Sequence, residues 1–366
     1  MTNFWFGKSV LITGHTGFKG SWLALWMHQL GAKVLGYSLK AEEQSLFNRA
    51  NLEALISTVY GDVRDAEAFK RVVDNFQPDI IFHLAAQSLV RPSYDDPVKT
   101  YSTNVIGTVN VLEAVRLAGG VRVCQIITTD KCYENDAAHV GAYIETDRLG
   151  GYDPYSSSKA CAEIITSAYR RSFFSTLATI NNAPGVSSIA SVRAGNVIGG
   201  GDYALDRIVP DCVTALTHGN TIMLRHPHAI RPWQYVLEPL SGYIMLAEKQ
   251  WEEPQKYAEA WNFGPSAASE ISVQHLVEKV ITYWGSGAWQ SVSIVPENEK
   301  IKYEAAQLRL NMQKATSRLN WHSRYNIEET IEQTVLWYKK AKLCTNSDQV
   351  LALCFEHLNH YLEHNV

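Results

Sequence analysis

Short apolar segments alternate with helical patterns along the first part of the chain, and this alternation limits the possible folds more than any other feature of the sequence. The strand-like segments are Ser9–Thr13, Val34–Tyr37, Ser57–Tyr60, Asp79–Leu84 and Arg122–Thr129, and the segments with helical periodicity include Ala66–Phe76 and Thr100–Ala118. Strands that are apolar almost throughout and separated by helices are typical of a parallel sheet covered on both faces. We therefore predict the α/β class, with a Rossmann-type doubly wound parallel sheet.

The second half of the chain is less regular and predicts a smaller, mixed α/β portion. The elements expected there are a helix that starts at Pro154 with Asp153 as its cap, a loop over residues 179–188, a sixth strand Ile189–Arg193, and helices over Ile327–Ala341 and Gln349–Leu362. On this pattern we assign residues 1–194, with a returning segment near 231–263, to a dinucleotide-binding domain. Residues 195–230 and 264–366 are assigned to a C-terminal substrate-binding domain.

Charge and composition exclude several classes of protein. The 33 basic residues nearly balance the 37 acidic ones and are interspersed with them, so the chain offers no basic surface for nucleic acid and no polybasic membrane patch. Its apolar runs are too short to span a bilayer, and no signal-peptide pattern precedes the first strand. The six cysteines are scattered without a CxxC pair, which predicts reduced thiols, no metal site and a cytoplasmic location. A soluble intracellular enzyme is the resulting expectation.

A glycine-rich turn, Gly14-His15-Thr16-Gly17-Phe18-Lys19-Gly20, lies between the first strand and a helix. Glycines allow the backbone to approach a pyrophosphate, and the N-terminus of the following helix offers N–H groups and the positive end of its dipole. The turn therefore predicts a dinucleotide site. The acidic residue that usually ends the second strand and selects NAD is absent, since Ser38, Leu39 and Lys40 stand there, so these residues alone leave NAD and NADP open. Asp62, after the third strand, is either a ligand of the adenine amino group or a loop cap.

Tyr155 and Lys159 are spaced by four residues at the start of a helix, which puts both side chains on one face. An ammonium group beside a phenol stabilises the phenolate, so the pair predicts a general base whose pKa lies below the ordinary value of roughly 10. The fifth strand ends in Thr128-Thr129-Asp130-Lys131. Because ligands of doubly wound sheets bind at the carboxyl ends of the strands, both segments are expected to face one crevice. A surface pair that arises by chance is the alternative.

With these residues the sequence resembles the extended short-chain dehydrogenase/reductase family of sugar-nucleotide enzymes over nearly its whole length. The motifs that carry the resemblance are the glycine turn, His83-Leu84-Ala85-Ala86-Gln87, Asn104, and Tyr155 with Lys159. Within this family, Thr129-Asp130 is similar to the 4,6-dehydratases, as are the segments Leu149–Tyr155, Arg193–Asp202 and Arg231–Val236. The resemblance implies NAD as the cofactor, a small-molecule nucleotide sugar, CDP-D-glucose, as the substrate, and a homo-oligomer, either a dimer or a tetramer.

The resemblance also implies roles for the site residues. Tyr155 would take the proton of the sugar 4-hydroxyl, which Thr129 would orient, and Lys159 would hold the phenolate and the cofactor ribose. Asp130 would protonate the departing 6-hydroxyl as a general acid. The other implied cofactor ligands are Gly14, His15, Thr16, Gly17, Phe18, Lys19, Gly20, Ser38, Lys40, Asp62, Val63, Leu84, Ala85, Ala86, Gln87 and Asn104. The implied substrate ligands are Ser88, Asn196, Arg207, Arg231 and Asn262.

Three features of the chain leave alternatives open. Most relatives have a glutamate after the aspartate, but Lys131 stands here, either as a ring-proton base with a lowered pKa or as an ion-pair partner that keeps Asp130 ionised. His15 and Lys19 replace small or apolar residues of the glycine turn, so they either crowd a pyrophosphate or, for Lys19, pair with it. Trp233 and Tyr303 are either stacking partners of a base or core residues.

Two other kinds of function are compatible with part of these motifs. A nucleotide-sugar 4-epimerase, or a 4,6-dehydratase for another nucleotide sugar, would use the same Tyr–Lys pair. An epimerase needs no acid for a leaving hydroxyl, so Asp130 separates the two chemistries. A dinucleotide-sensing regulatory protein would keep the glycine turn and typically lose Tyr155 and Lys159, which this chain retains.

Overall fold

The computed structural model describes residues 4–135, 141–174, 187–292 and 308–364. The strands in these ranges are β1 (Ser9–Thr13), β2 (Lys33–Ser38), β3 (Ser57–Tyr60), β4 (Ile80–His83), β5 (Val123–Ile127), β6 (Ser188–Ala194), β7 (Asn196–Ile198), β8 (Ile222–Leu224), β9 (Ile230–Tyr235), β10 (Ala260–Phe263), β11 (Glu270–Ser272) and β12 (Trp289–Ser291). The helices are α1 (Phe18–Gln29), α2 (Leu46–Arg49), α3 (Ala66–Phe76), α4 (Val90–Asp95), α5 (Pro97–Tyr101), α6 (Gly107–Ala118), α7 (Pro154–Phe173), α8 (Ile208–Thr217), α9 (Leu237–Glu252), α10 (Pro254–Tyr257), α11 (Val273–Trp284), α12 (Gln313–Leu319), α13 (Ile327–Ala341) and α14 (Ser347–Glu363).

A parallel sheet forms the middle layer, with its described strands in the order β3-β2-β1-β4-β5-β6-β10. The strand order reverses between β1 and β4, which is the switch point where a doubly wound sheet opens a crevice at its carboxyl ends. The predicted fold class is thereby confirmed. The six predicted strands are all present, two of them, β1 and β3, with the predicted bounds.

Both faces of the inner strands of the sheet are buried, which explains why those strands read as apolar almost throughout, whereas the edge strand β3 is largely exposed. On β1, Val10 and Ile12 pack into one core together with α1 and α9, while Leu11 packs into the opposite core with α3 and α6. Successive side chains of a strand point to opposite faces, so a strand covered on both sides needs apolar residues at every position.

The helix predicted over Thr100–Ala118 is divided by a π-helical turn at Ser102–Ile106, between α5 and α6. Asn104 lies inside this turn, and its amide bonds the backbone of Gln87 on the neighbouring strand-end loop. A single π turn in a helix is uncommon and often marks a functional position. The periodicity of the sequence predicts a continuous helix here and gives no sign of the turn.

The other described strands form two small sheets, β11-β9-β7 and β12-β8. Inside the predicted returning segment, α9 packs against β5 and β6 and β10 pairs with β6, whereas β9 pairs with β7 and β11. The domain boundaries stay a prediction.

Two sequence predictions fall on residues outside the described ranges: Tyr303 and most of the loop over 179–188. Ser188, the last residue of that predicted loop, belongs to β6. In the described ranges, the helices are too short or too polar for one of them to cross a bilayer.

Candidate active site

The glycine turn is packed closely against the end of β4. Gly14 has a φ of +74°, and a Cβ at this position would lie 2.7 Å from the backbone nitrogen of Ala85. A Cβ on Gly20 would overlap the carbonyl oxygen of Gly14. Gly17 stands at the N-cap of α1 and brings no capping side chain to the first turn of that helix. The turn and the half-buried Leu84–Gln87 loop thus form a backbone cradle that fits a pyrophosphate at a helix N-terminus.

The His15 side chain points from the glycine turn towards β2 and β3. Its ring packs on Gly36 of β2 and edge-to-face on Phe47, with ring centroids 5.1 Å apart, and its Nε2 is 3.0 Å from the Thr58 hydroxyl. Burial lowers the pKa of His15 to about 4, so the ring is neutral at physiological pH. His15 therefore fills the space between β2, β3 and α2.

The end of β2 and the loop after β3 form the side of the crevice predicted for the adenosine. The Thr16 and Ser38 hydroxyls are hydrogen-bonded at 2.7 Å, and Lys40 is exposed. The Asp62 carboxylate already accepts from Arg64, at 2.9 Å from Nε and 2.6 Å from Nη2, and this bond lowers its pKa. Sequence reasoning missed Arg64, although it lies only two residues away. An adenine contact by Asp62 stays a prediction, as does one by its neighbour Val63.

Asn104 connects three parts of the crevice. Its Oδ1 accepts from the Gln87 N–H at 2.8 Å, and its Nδ2 donates to the Gln87 carbonyl at 2.9 Å and to the Ser158 hydroxyl at 2.8 Å. The loop after β4, the π turn and α7 are thereby held in one arrangement. Ser93 adds a second tie to α7, because its hydroxyl accepts from the Tyr155 N–H at 3.1 Å.

The start of α7 presents the predicted Tyr–Lys pair to the end of β5. Asp153 caps the helix by accepting from the Ser156 N–H at 2.9 Å, as predicted. The Lys159 ammonium donates to the Ile127 carbonyl at 3.0 Å. The Tyr155 hydroxyl is hydrogen-bonded with Thr129, whose own hydroxyl donates to Asp130 Oδ1 at 2.9 Å. The structure thus brings Thr129, Asp130, Tyr155 and Lys159 together.

The pKa of Tyr155 differs from the sequence-based expectation. Burial raises it to about 12, and the bond with Thr129 and the charge of Arg207 only partly oppose this effect. The expected lowering of the Tyr155 pKa is wrong for this arrangement, because burial of the phenol outweighs the favourable interactions. Burial also lowers the pKa of Lys159 to about 8, against the opposing charge of Glu163.

Asp130 is almost completely buried, with 1% of its surface exposed. Its Oδ2 has no hydrogen-bond partner within the described part of the chain and faces Gly195, where a Cβ would lie 3.0 Å away. A carboxyl group with one free oxygen, beside a tyrosine and a threonine hydroxyl, is suited to donate a proton to a ligand in the crevice. Lys131 Nζ is 4.0 Å from Asp130 Oδ1, the outer limit of an ion pair, and its side chain is 20% exposed.

We expect Lys131→Ala to lower turnover by roughly 10²-fold, the usual effect of one acid–base group, with nucleotide-sugar affinity kept. The reason is that Lys131 Nζ lies 4.0 Å from Asp130 Oδ1 without a close ion pair, so its neutral amine is the base that alanine removes. Lys131→Glu should recover part of the loss. The measurement is the steady-state rate of the wild type and of each variant across a range of pH. A lysine that only pairs with Asp130 would instead change the pH profile and leave the maximal rate normal, and an unchanged rate and profile would exclude both roles.

Three cationic side chains converge on the crevice. The pKa of Lys19 is lowered to about 7, first by burial and then by repulsion from Lys159 and Arg207. Arg207 donates to Asp202 at 2.8 Å and to the predicted substrate ligand Ser88 at 3.3 Å. Mutual repulsion among these cations is relieved when an anion binds, so the electrostatics fit the diphosphate groups of a dinucleotide and of a nucleotide sugar.

The other predicted substrate ligands lie in two different places. Asn196, on β7, has a buried Nδ2 without a partner in the described ranges, and Arg231 follows on the adjacent strand β9, with 8% of its surface exposed. Asn262 is fully buried on β10, opposite Arg193 of β6. It accepts from the Tyr133 hydroxyl at 2.8 Å and donates to the Tyr143 carbonyl at 2.9 Å. Both ends of its amide thus have protein partners, and its substrate role stays a prediction.

A buried ion pair between Glu163 and Arg193 lies below these residues, with 2.7 Å between the charged atoms. Sequence reasoning did not find it. The signal available was an acidic residue four positions after Lys159, on the buried face of the same helix.

Among the described residues, no group of three or more His, Cys, Asp or Glu side chains is placed to hold a metal ion. Trp233 is 6% exposed, in agreement with the core alternative.

Comparison with known proteins gives a consistent set of relatives. The family model of GDP-mannose 4,6 dehydratase matches residues 11–334. The CDP-glucose 4,6-dehydratase of Salmonella typhimurium is 47% identical over 338 residues, covering 92% of this chain and 92% of that protein. The dTDP-glucose 4,6-dehydratase of Bacillus anthracis, solved in complex with NAD, superposes with a TM-score of 0.74 at 24% identity over 91% of this chain and 97% of that one. The UDP-glucose 4-epimerase of Thermotoga maritima also gives 0.74, at 20% identity over 91% and 99% of the two chains. These two structures confirm the fold.

Proposed function

The chain belongs to the GDP-mannose 4,6 dehydratase family, and on this basis we propose that it is an NAD-dependent lyase that converts CDP-D-glucose to CDP-4-dehydro-6-deoxy-D-glucose. Relatives that share the fold include both dehydratases and epimerases, so the fold does not select the reaction. The observation that carries the proposal is the buried Asp130, with one free oxygen next to the Thr129 and Tyr155 hydroxyls. A group placed to protonate a leaving hydroxyl is needed for dehydration and not for epimerisation.

The backbone cradle and the cationic side chains of the crevice fit the pyrophosphate of NAD. The residues that would hold it are those of the glycine turn, the Leu84–Gln87 loop, Asn104 and Lys159, because they combine an open helix N-terminus with a cationic group at the centre of the crevice. Bound NAD would accept the hydride from carbon 4, which stays a ketone in the product, and would return that hydride to carbon 6 after the elimination, so that the cofactor shows no net redox change.

The residues of this chain supply the proton transfers and the orientation. Tyr155 takes the proton of the 4-hydroxyl, and Thr129, bonded to both Tyr155 and Asp130, orients that hydroxyl. The 4-ketone acidifies the hydrogen on carbon 5, which the neutral amine of Lys131 removes and later returns to carbon 5, and Asp130 protonates the hydroxyl that leaves carbon 6. Arg207, Ser88, Asn196 and Arg231 bind the nucleotide diphosphate, for which the planar guanidinium groups are suited.

The direct experiment offers CDP-, UDP-, GDP- and dTDP-glucose, each with NAD or NADP, to the purified protein. We expect loss of water, detected by mass spectrometry, with CDP-glucose and NAD in preference to the other combinations. Conversion to a 4-epimer without loss of water would establish the epimerase alternative. Dehydration of another nucleotide sugar would keep the reaction class and change the substrate. Binding of NAD without turnover on any of these sugars would favour a regulatory protein.

Further parts of the proposal concern location and assembly. We propose that the protein works in the cytoplasm and supplies a deoxysugar precursor for a surface polysaccharide such as the O-antigen of lipopolysaccharide.

We also propose a homo-oligomer whose interface covers α6 and α7, which pack against each other. The reason is that four large apolar side chains on or beside these helices are about half exposed. They are Ile106, Leu117, Ile164 and Phe173. Light scattering on the purified protein would detect a dimer or tetramer, and a monomeric mass would refute this part.

A further inference from the structure

Glu163 lies beneath the candidate active site and carries a charge that the proposed proton transfers do not use. Its side chain is 2% exposed. Oε2 accepts from Arg193 at 2.7 Å and from the Ser191 hydroxyl at 2.6 Å, and Oε1 accepts from the Thr128 hydroxyl at 2.5 Å. Burial acts to raise the pKa of Glu163, but Arg193 and the two hydroxyls hold it below its ordinary value. The carboxylate is therefore ionised at physiological pH.

The bond from Thr128 connects this carboxylate to the strand end that carries the reacting groups. Thr128 directly precedes Thr129, and its N–H donates to the Val192 carbonyl at 2.8 Å. One helical turn before Glu163, Lys159 donates to the carbonyl of Ile127, the residue before Thr128. Two consecutive residues at the end of β5 are thus held by two side chains that lie one turn apart on α7.

The charge of Glu163 also acts on Lys159. The titratable groups that face the Lys159 ammonium are Glu163 on its own helix, Cys132 after β5, His83 at the end of β4 and Lys19 on α1. Burial raises the pKa of Cys132 well above its ordinary value and lowers that of His83 to about 3, so both are neutral at physiological pH. Lys19 repels the ammonium when it is charged. Among these described groups, Glu163 supplies the negative charge that favours it.

We propose that Glu163 is a positioning residue for the reaction, which holds Thr128 and Thr129 in place and keeps Lys159 in its ammonium form. This inference rests on the proposed function, because that function defines the reaction in which Thr129 and Lys159 take part. Glu163 itself touches neither the crevice nor a reacting atom, and it acts through the strand end and through Lys159.

The first test is the pH dependence of turnover in Glu163→Gln, which keeps the shape of the side chain and one acceptor oxygen. Removing the negative charge disfavours the ammonium, so the alkaline limb of kcat, on which Lys159 loses its proton, should move to lower pH by roughly 1 unit. NAD binding measured by titration calorimetry should weaken over the same pH range, since Lys159 is proposed to hold the ribose. Ser191→Ala removes a neighbouring donor and leaves the charge, so this control should keep the position of the limb.

The second test uses Thr128→Val, since Glu163→Gln leaves Arg193 buried without a counter-ion and can fail to fold. This variant keeps the ion pair and removes only the hydroxyl that ties the strand end to it. We expect kcat to fall roughly 10- to 100-fold through misplacement of Thr129, with an unshifted alkaline limb. An unshifted limb in a folded Glu163→Gln protein, or full turnover in Thr128→Val, would overturn the proposal. A wild-type protein inactive on every nucleotide sugar would refute the proposed function instead, and the NAD titrations would still decide the role of Glu163.

Discussion

Tyr155→Phe is expected to nearly abolish turnover, by at least roughly 10³-fold, and to leave nucleotide-sugar affinity close to that of the wild type. The substitution removes only the phenolic oxygen that takes the proton. The Tyr155 N–H keeps its bond to Ser93, and the Thr129 hydroxyl keeps its bond to Asp130, so the start of α7 and the end of β5 retain their arrangement. Burial raises the pKa of Tyr155 to about 12 in the free site, so the rate should rise with pH as the phenolate becomes accessible. That acidic limb should disappear in the variant.

The measurement combines steady-state kinetics with equilibrium binding of the nucleotide sugar. Tyr169→Phe is a matched control on the same helix, because its hydroxyl contacts Glu113 at 3.3 Å, away from the crevice. It should keep both turnover and affinity. Near wild-type activity of Tyr155→Phe would remove Tyr155 as the base. A loss that appears only in affinity would show that the hydroxyl binds the substrate instead of accepting its proton.

The fold was predictable from the sequence because its strands and helices carry strong local patterns. Strands β1 and β3 and helices α3 and α13 have the predicted bounds. For β1 and the two helices, an apolar run or a helical periodicity changes abruptly where the element ends. The π turn around Asn104 was not predictable. The predicted helix runs through it without a break, and the hydrogen bonds of Asn104 to Gln87 join residues 17 positions apart.

The reacting groups of the site were predictable for a different reason. In a doubly wound sheet the carboxyl ends of the strands meet at one edge, so Thr129 and Asp130 after β5 had to lie near the start of α7. The direction of the Tyr155 pKa shift was not predictable, because spacing indicates that Lys159 is near and does not reveal how deeply the phenol is buried, which is the main cause of the raised pKa. Asn262 and Glu163 show the same limit, since the partners of a buried polar group depend on tertiary packing.

Asp130→Asn is expected to permit oxidation at carbon 4 and to block elimination, because an amide cannot deliver a proton to the leaving 6-hydroxyl. The loss of dehydrated product should be roughly 10²–10⁴-fold, the usual contribution of one general acid–base group. The fold should be kept, since asparagine has nearly the same shape and its Oδ1 can still accept from Thr129. Asp65→Asn, at the N-cap of α3, is a matched control that should keep full activity, because asparagine caps a helix as well as aspartate does.

Single-turnover mixing of Asp130→Asn with CDP-glucose makes the block visible. The near-ultraviolet absorbance of reduced nicotinamide should rise and persist, with little loss of water by mass spectrometry, whereas in the wild type it should rise and decay as product forms. Dehydration at the wild-type rate would show that Asp130 is not the acid. Absence of any absorbance change would place Asp130 in the oxidation step, through its bond to Thr129. A persistent signal without dehydration in the variant, together with dehydration by the wild type, would assign the proton donor to Asp130 and would separate this chain from an epimerase that shares the fold and the Tyr–Lys pair.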